Sequence, residues 1–387
     1  AALPALAVLA NRFSESASAA DTGAFTPEDA RTLPLLRRVI SANRSQNDVA
    51  AAARLAELAR SPKVPAAARL LAMEALAEWD APGPREPVQG RIRDLDAKAR
   101  DLAAWKRALA SRLPDLAARA PDEAVRAKAR ELAARVGVAL DPAATLQTAL
   151  DAKADPAERV DCLAQLSRDG GQPLDTALAA CLDDAQPALR SAALDLLARR
   201  DAAAALPRLR KALDSRDLGE RQGAVRSLAC MHAPEADAAL ATLADKLNAG
   251  SLEPSLQLDV VEAAPGHSAA EASVSGWRAR QDPGNALAAW MICLEGGDVE
   301  RGRRILTGHV GAQCLRCHSL AGGGGHAGPS LEGVAKRHDR TGLLESLIVP
   351  NARIAAGFGA NSAMPTMTKL LTPSEVRDVV AYLSTLR

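Results

Sequence analysis

Aromatic residues are scarce in this chain: four tryptophans, three phenylalanines and one tyrosine make up 2 % of 387 residues. Neither sign of charge is in excess. Lysine and arginine total 48 against 47 aspartates and glutamates, for a net charge of +1, so the basic surface that a nucleic-acid partner requires is lacking. No apolar run reaches the roughly 18 residues that a membrane-spanning helix needs. Cysteine is sparse, and Cys162, Cys181, Cys230 and Cys293 stand alone, so no second pair of soft ligands completes a zinc site. The opening AALPALAVLA is apolar but has neither an initiator methionine nor a basic flank, and it reads as the start of a mature chain or of a C-terminal piece.

What the sequence does contain in quantity is alanine. Alanine with leucine, arginine and aspartate at helical spacing predicts an all-α protein. The helices repeat. Arg159, Arg190 and Arg221 lie 31 residues apart, each followed by a small residue at +3 (Cys162, Ala193, Ala224), an apolar one at +4 (Leu163, Leu194, Val225) and leucine at +7 (Leu166, Leu197, Leu228). Arg69 opens the same pattern with Ala72, Met73 and Leu76. That period fits one helical hairpin per repeat, and a hairpin that cannot bury its own face stacks on its neighbours into an α-solenoid. The pattern resembles the short bacterial form of the HEAT repeat.

Two stretches look like interruptions. Residues 80–98 carry three prolines and two glycines and predict an extended connection, and residues 262–285 read as a similarly broken junction. A disulfide between Cys162 and Cys181, or between Cys230 and Cys293, is conceivable; for Cys230 the simpler expectation is a small residue buried in an alanine-rich core.

One pentapeptide carries the chemistry. Residues 314–318 read Cys-Leu-Arg-Cys-His, two thiols three positions apart followed directly by an imidazole. Such thiols can add across the two vinyl groups of a haem, and His318 is then placed to bind the iron from one face. A thioredoxin-type redox pair would need a strand in a βαβ unit, which the segment does not resemble. The expected cofactor is one covalent haem c, held through Cys314 and Cys317. Because bacteria attach haem c during export, a periplasmic or otherwise exported location follows, where disulfides are permitted.

From Gly297 onward the chain resembles a class I cytochrome c domain. GGDVERGRRILTGHVGAQCLRCH (296–318) is similar to that family's N-terminal helix and attachment turn, AGPSL (327–331) to its Gly-Pro-x-Leu loop, and MPTMTKLLTPSEVRDVVAYL (364–383) to its ligand loop and last helix. The resemblance implies that the carbonyl of Pro329 accepts the Nδ1 proton of His318, that Met364 is the axial thioether, and that Met367 packs in the interior. It also places Tyr382 near the haem edge. His326 and His338 are weaker candidates for the sixth ligand, His326 because the glycine run before it predicts a mobile loop. In the last helix, Thr372 or Ser374 is expected to cap, Pro373 to sit in the first turn, Glu375 and Asp378 to add negative charge, and Val376, Val379, Val380 and Leu383 to form an apolar stripe.

Helical repeats followed by such a domain resemble planctomycete-type haem-binding proteins, and MEALAEWDAPGPREPVQGRIRDL (73–95) looks like their repeats. Those proteins often carry an upstream propeller similar to sugar dehydrogenases. Here there is none, and residues 350–363 are short where many members carry a β insertion. The domain expectation is a helical segment at 1–44, HEAT-like repeats at 45–275, a junction at 276–296 and a mono-haem cytochrome c domain at 297–387. The functional expectation is an electron-transfer subunit, with no catalytic residue of its own, between a dehydrogenase donor and a downstream carrier. The alternatives are a peroxidase-like or gas-sensing haem protein with a displaceable sixth ligand, or an interaction scaffold whose haem is mainly structural.

Overall fold

The computed structural model describes residues 27–46, 48–79, 102–309 and 311–387. The proline-rich connection expected at 80–98 lies outside them. Two compact units divide the chain, residues 1–189 and 190–387.

In the first unit the helices are α1 (Pro27–Gln46), α2 (Val49–Arg60), α3 (Ala66–Ala77), α4 (Leu102–Ala110), α5 (Leu113–Arg119), α6 (Glu123–Val136), α7 (Pro142–Leu150), α8 (Pro156–Asp169) and α9 (Gly171–Cys181). Three hairpins, α2 with α3, α5 with α6 and α7 with α8, pack so that their second helices α3, α6 and α8 are neighbours. The core is small side chains around a few large ones: Ala51, Ala52, Ala68, Ala72, Ala129 and Ala133 are buried with Leu55, Leu76, Leu132, Trp79 and Trp105. Alanine costs least in a helix and keeps helices close, so a chain almost without aromatics still packs densely.

The second unit holds α10 (Pro187–Arg200), which starts at the division, then α11 (Ala202–Leu213), α12 (Leu218–Ala229), α13 (Pro234–Asn248), α14 (Pro254–Ala263) and α15 (Ser268–Ala279). Helix α15 stands where a broken junction was expected: Gly266 turns the chain at φ +88° and the helix starts directly after His267. Proline and glycine here delimit helices instead of dissolving them. Pro142, Pro156, Pro234, Pro254 and Pro373 all lie in first turns, where proline has no hydrogen bond to lose. Beyond α15 come a 3-10 turn (Ala288–Cys293) that buries Ile292 and Cys293, then α16 (Val299–Gly308), α17 (Val334–Arg337), α18 (Arg340–Ile348) and α19 (Pro373–Leu383). Two two-residue strands, β1 (Ser319–Leu320) and β2 (Gly323–Gly324), pair antiparallel and complete an all-α chain.

The register arginines acquire partners that the repeat pattern did not show. In the first unit, Arg69 of α3 reaches Asp122, the N-cap of α6, at 2.5 Å, and Arg126 of α6, which the repeat pattern did not include, holds Glu158 of α8 at 2.7 and 2.8 Å. In the second, Arg190 reaches Glu220 at 2.6 Å and Arg221 reaches Glu253 at 2.6 Å. Each arginine near the start of one helix meets a carboxylate near the start of a later one. Arg159 breaks the rule by turning to Asp184 (2.5 Å) and to the Ala149 carbonyl (3.0 Å). The leucine at +7 is buried at Leu166 and Leu228 and half-buried at Leu197.

None of the cysteines pairs with another in a disulfide, so neither Cys162–Cys181 nor Cys230–Cys293 is bridged. Burial pushes the Cys162 thiol up to about 11 and Cys293 up to about 12. Cys230, expected in the core, is exposed: it caps the C-terminus of α12, where the chain leaves the packed layer.

Candidate haem site

Helix α16 leads into the site. Asp298 caps it by accepting the Arg301 N–H at 2.8 Å. It crosses α19 at Gly302, where an added Cβ would lie 2.0 Å from the Asp378 carbonyl oxygen, so the two backbones touch. After the helix, the Ala312 N–H donates to Nδ1 of His309 at 2.9 Å, and Gln313 takes a left-handed φ of 44° to start a 3-10 turn over Cys314–Arg316.

That turn explains the spacing of the thiols. The N–H groups of Cys317 and His318 both donate to the Cys314 carbonyl, at 3.2 and 3.0 Å, and residues three apart on a 3-10 turn project on one side. Cys314 is half-buried and its thiol is raised by burial; Cys317 is exposed.

The glycine-rich segment then folds back on the turn. β1 and β2 pair Ser319 with Gly324 and Leu320 with Gly323, and the Gly325 N–H is shared between the carbonyls of Leu315 (2.9 Å) and His318 (3.2 Å). A Cβ on Gly324 would stand 2.2 Å from the His318 oxygen, and one on Gly325 would stand 2.1 Å from the Arg316 oxygen. At Gly324 and Gly325 only a bare backbone fits, while Gly322 serves the turn through its φ of +74°. The mobile loop expected around His326 is therefore tied down on its N-terminal side, although His326 itself is exposed.

Histidine 318 is held from the far side of the same loop. Its Nδ1–H donates to the Pro329 carbonyl at 2.8 Å, while the Gly328 N–H donates to the Cys317 carbonyl at 2.8 Å and the Leu331 N–H to the Ser319 carbonyl at 2.9 Å. A Cβ on Gly328 would approach the imidazole Cε1 to 2.7 Å. This arrangement leaves Nε2 as the ring nitrogen with no hydrogen bond among the described residues.

The two methionines of the ligand loop differ in burial. Met367 is 3 % exposed, in the 3-10 turn Met367–Lys369, whereas Met364 is half-buried in irregular backbone. That backbone is positioned by the Ser362 N–H donating to Asn351 (2.8 Å), the Met364 N–H donating to Ser362 Oγ (3.2 Å) and Thr366 Oγ1 donating to the Ile348 carbonyl (2.8 Å). His338 and Tyr382 are half-buried.

Helix α19 closes the region. Thr372 is the cap, with Glu375 returning to its N–H in a full capping box. Ser374, the other candidate, donates its hydroxyl to Glu262 at 2.7 Å instead. Val376, Val379, Val380 and Leu383 are buried as the stripe predicted. Asp378 is more than a charge near a helix start: it is buried, accepts the Asp298 N–H at 2.7 Å and pairs with Arg301 at 3.0 Å, and burial raises its pKa. Arg377 was missed altogether. It is 2 % exposed and donates to Asp259 of α14 at 2.6 Å, and nothing local in the sequence marks a charge at that position as buried.

The assembled groups fit a covalently held haem. Paired thiols lie on one tight turn, an imidazole is oriented through Nδ1, and a thioether is left accessible on a separate loop. When bound, haem c supplies a reversible one-electron couple.

Comparison with known proteins agrees for this part of the chain. The family model for cytochrome c matches residues 299–387. A search of curated proteins finds no match to the chain. Among solved structures, human deoxyhypusine hydroxylase in complex with glycerol aligns over 72 % of this chain and 89 % of its own, at 17 % identity and a TM-score of 0.25, a likeness too low to carry an argument. The C-terminal part of this helical chain is thus a cytochrome c domain, which implies covalently bound haem c and, at a general level, electron transfer.

Proposed function

We propose that the protein is a mono-haem electron carrier in which Cys314 and Cys317 hold the porphyrin and His318 and Met364 are the axial ligands. The observation that carries this reading is the 2.8 Å hydrogen bond from His318 Nδ1 to the Pro329 carbonyl. It selects the tautomer that leaves the lone pair on Nε2, and it raises the basicity of the ring as a ligand. Met364 is favoured over Met367 by burial, because a side chain filling the interior at 3 % exposure is already committed to packing. His326 is disfavoured by the pinned glycine segment that precedes it.

A His/Met pair closes the iron's coordination and raises its potential, which suits electron exchange better than oxygen activation. The rest of the reading concerns the helical region. We take residues 45–275 as HEAT-like repeats ahead of a 276–296 junction and a 297–387 haem domain, supported by the arginine-to-carboxylate contacts that recur along the helices. This scaffold would dock a dehydrogenase donor, and the haem would pass electrons to a downstream carrier in the periplasm or another exported location.

The test is the visible spectrum of the purified protein, oxidised and reduced, for wild type and Met364→Ala. The expected result is a low-spin wild type with the weak far-red band of methionine-ligated ferric haem, lost in the variant. A high-spin wild type that binds carbon monoxide rapidly would overturn the assignment and point to an open iron. A wild-type band that survives in Met364→Ala would move the ligand to another residue.

A further inference from the structure

We propose that the cytochrome c domain is the C-terminal cap of the helical stack in residues 190–387, so that the haem is carried on a fixed module and not on a tether. The starting point is α14. Six of its ten residues, Leu256, Leu258, Asp259, Val260, Val261 and Ala263, are buried. By contrast α11, an ordinary one-faced helix of the same unit, buries only Ala205 and Leu209. A helix covered to that extent has cover on more than one side. Helices α12 and α13 supply one part, and the 3-10 turn Ala288–Cys293, which also packs on α18 and α19, supplies another. Stacked repeats need a terminal element that hides the last apolar face, and the haem domain provides it.

The contact is close along the joining segment, and a polar cavity of about 390 Å³ lies beside it, bordered by Arg226, Asp259, Arg377 and Asp378. Ile292 and Cys293 are buried, at 8 % and 0 % exposure. Gln222 Nε2 donates to the carbonyls of Ser255 (3.1 Å) and Gly296 (2.8 Å), and Arg340 donates to the Leu294 carbonyl (2.7 Å) and to Glu295 (2.5 Å). At Gly296 a Cβ would meet the Ser255 oxygen at 2.4 Å, and at Gly297 one would meet the Arg377 oxygen at 2.4 Å. The segment joining the repeats to the haem domain is therefore pressed against both, backbone to backbone.

At its centre is a charge cluster shared between the two parts. Asp259, 1 % exposed, accepts from Arg377 of α19 at 2.6 and 3.4 Å and from Arg226 of α12 at 3.2 Å. Ser374 of α19 adds its hydrogen bond to Glu262. Arg377 and Asp259 are each buried only because the other part is in place, and separation would open the apolar turn around Cys293 to water. The inference does not depend on which methionine binds iron.

Cys293 offers the test, because among the four thiols outside the haem motif it alone lies in this contact, whereas Cys230 is exposed and Cys162 and Cys181 are buried elsewhere. The haem-loaded full chain is treated with a thiol-specific disulfide reagent, and modification is assigned by peptide mass mapping. The expected result is that Cys230 reacts rapidly and Cys293 reacts more than about tenfold slower, in step with Cys162 and Cys181. Modification of Cys293 within about tenfold of Cys230, with the haem spectrum intact, would show a domain that detaches and would overturn the proposal. In Asp259→Asn the Cys293 rate should rise at least about tenfold while those of Cys162 and Cys181 stay unchanged. Should that variant not fold, amide hydrogen exchange on the wild type decides: residues 292–298 protected as strongly as α14 support the cap, and exchange at loop rates overturns it.

Discussion

The haem-attachment segment and the helical repeats are stabilised on opposite scales of sequence distance. Between Gln313 and Leu331 nearly every hydrogen bond closes within about a dozen residues, and the positions that matter are glycines whose backbones touch the Cys-x-x-Cys-His turn. In the repeats the informative contacts reach one period further on, from Arg126 to Glu158, Arg190 to Glu220 and Arg221 to Glu253. The local site needs a particular backbone. The repeats need a particular pairing between elements, and any one pair is worth less than the regularity of the set.

Substitutions can sharpen that contrast. The largest effect is expected from His318→Ala, which should abolish the low-spin spectrum while leaving helical circular dichroism near the wild-type level, because the repeats do not depend on the imidazole. Next is Asp259→Ala: it strands Arg377 as a buried unpaired cation and should cost about 3–5 kcal/mol, read from denaturant unfolding followed through both the haem band and the helical signal. Loss from only one of the two signals would contradict a shared cooperative unit. Gly325→Ala should cost on the order of 2 kcal/mol and broaden the haem spectrum, since its Cβ must displace the Arg316 carbonyl.

Smaller effects are expected along the repeats. Arg221→Met breaks a pair that is 22 % and 38 % exposed and should cost about 1 kcal/mol or less in thermal unfolding. The pairs Arg126–Glu158 and Arg190–Glu220 act through pH. Hydrogen bonds from these arginines hold both carboxyls below the usual 4.5, so their stabilisation is complete above that value and is lost as pH falls through the depressed folded range. A melting-temperature series from neutral pH downward should therefore fall less steeply in the Arg126→Met, Arg190→Met double variant. An unchanged acid limb would remove these pairs from the account.

Much of the haem region was legible in the sequence because its chemistry is local. The Cys-x-x-Cys-His motif and the capping residues before Val376 each name their own geometry within a few positions, whereas the role of Pro329 came from the family resemblance. The glycine run misled, because glycine serves equally for freedom and for close approach, and only the carbonyls of Arg316 and His318 beside it decide which. The stretch 262–285 misled for a related reason: its proline and glycine mark the ends of helices, and α15 between them carries two buried residues too few to announce a helix by periodicity. Cys230 was expected inside and is outside, since its place at the end of α12 is set by where the helix stops.

By itself the sequence determined that the chain is helical, that its helices recur with a fixed arginine register, and that a haem motif stands near the C-terminus. The first and third follow from residue type and short-range spacing, and the second from a period of 31 residues along the chain. The tertiary structure alone decided which carboxylate each arginine meets, which methionine is buried, and that Arg377 of the last helix is paired with Asp259 in the interior. Those outcomes depend on which surfaces are brought together and emptied of water, and the free energy of a charge or a thioether at such a place is set by neighbours distant in the chain.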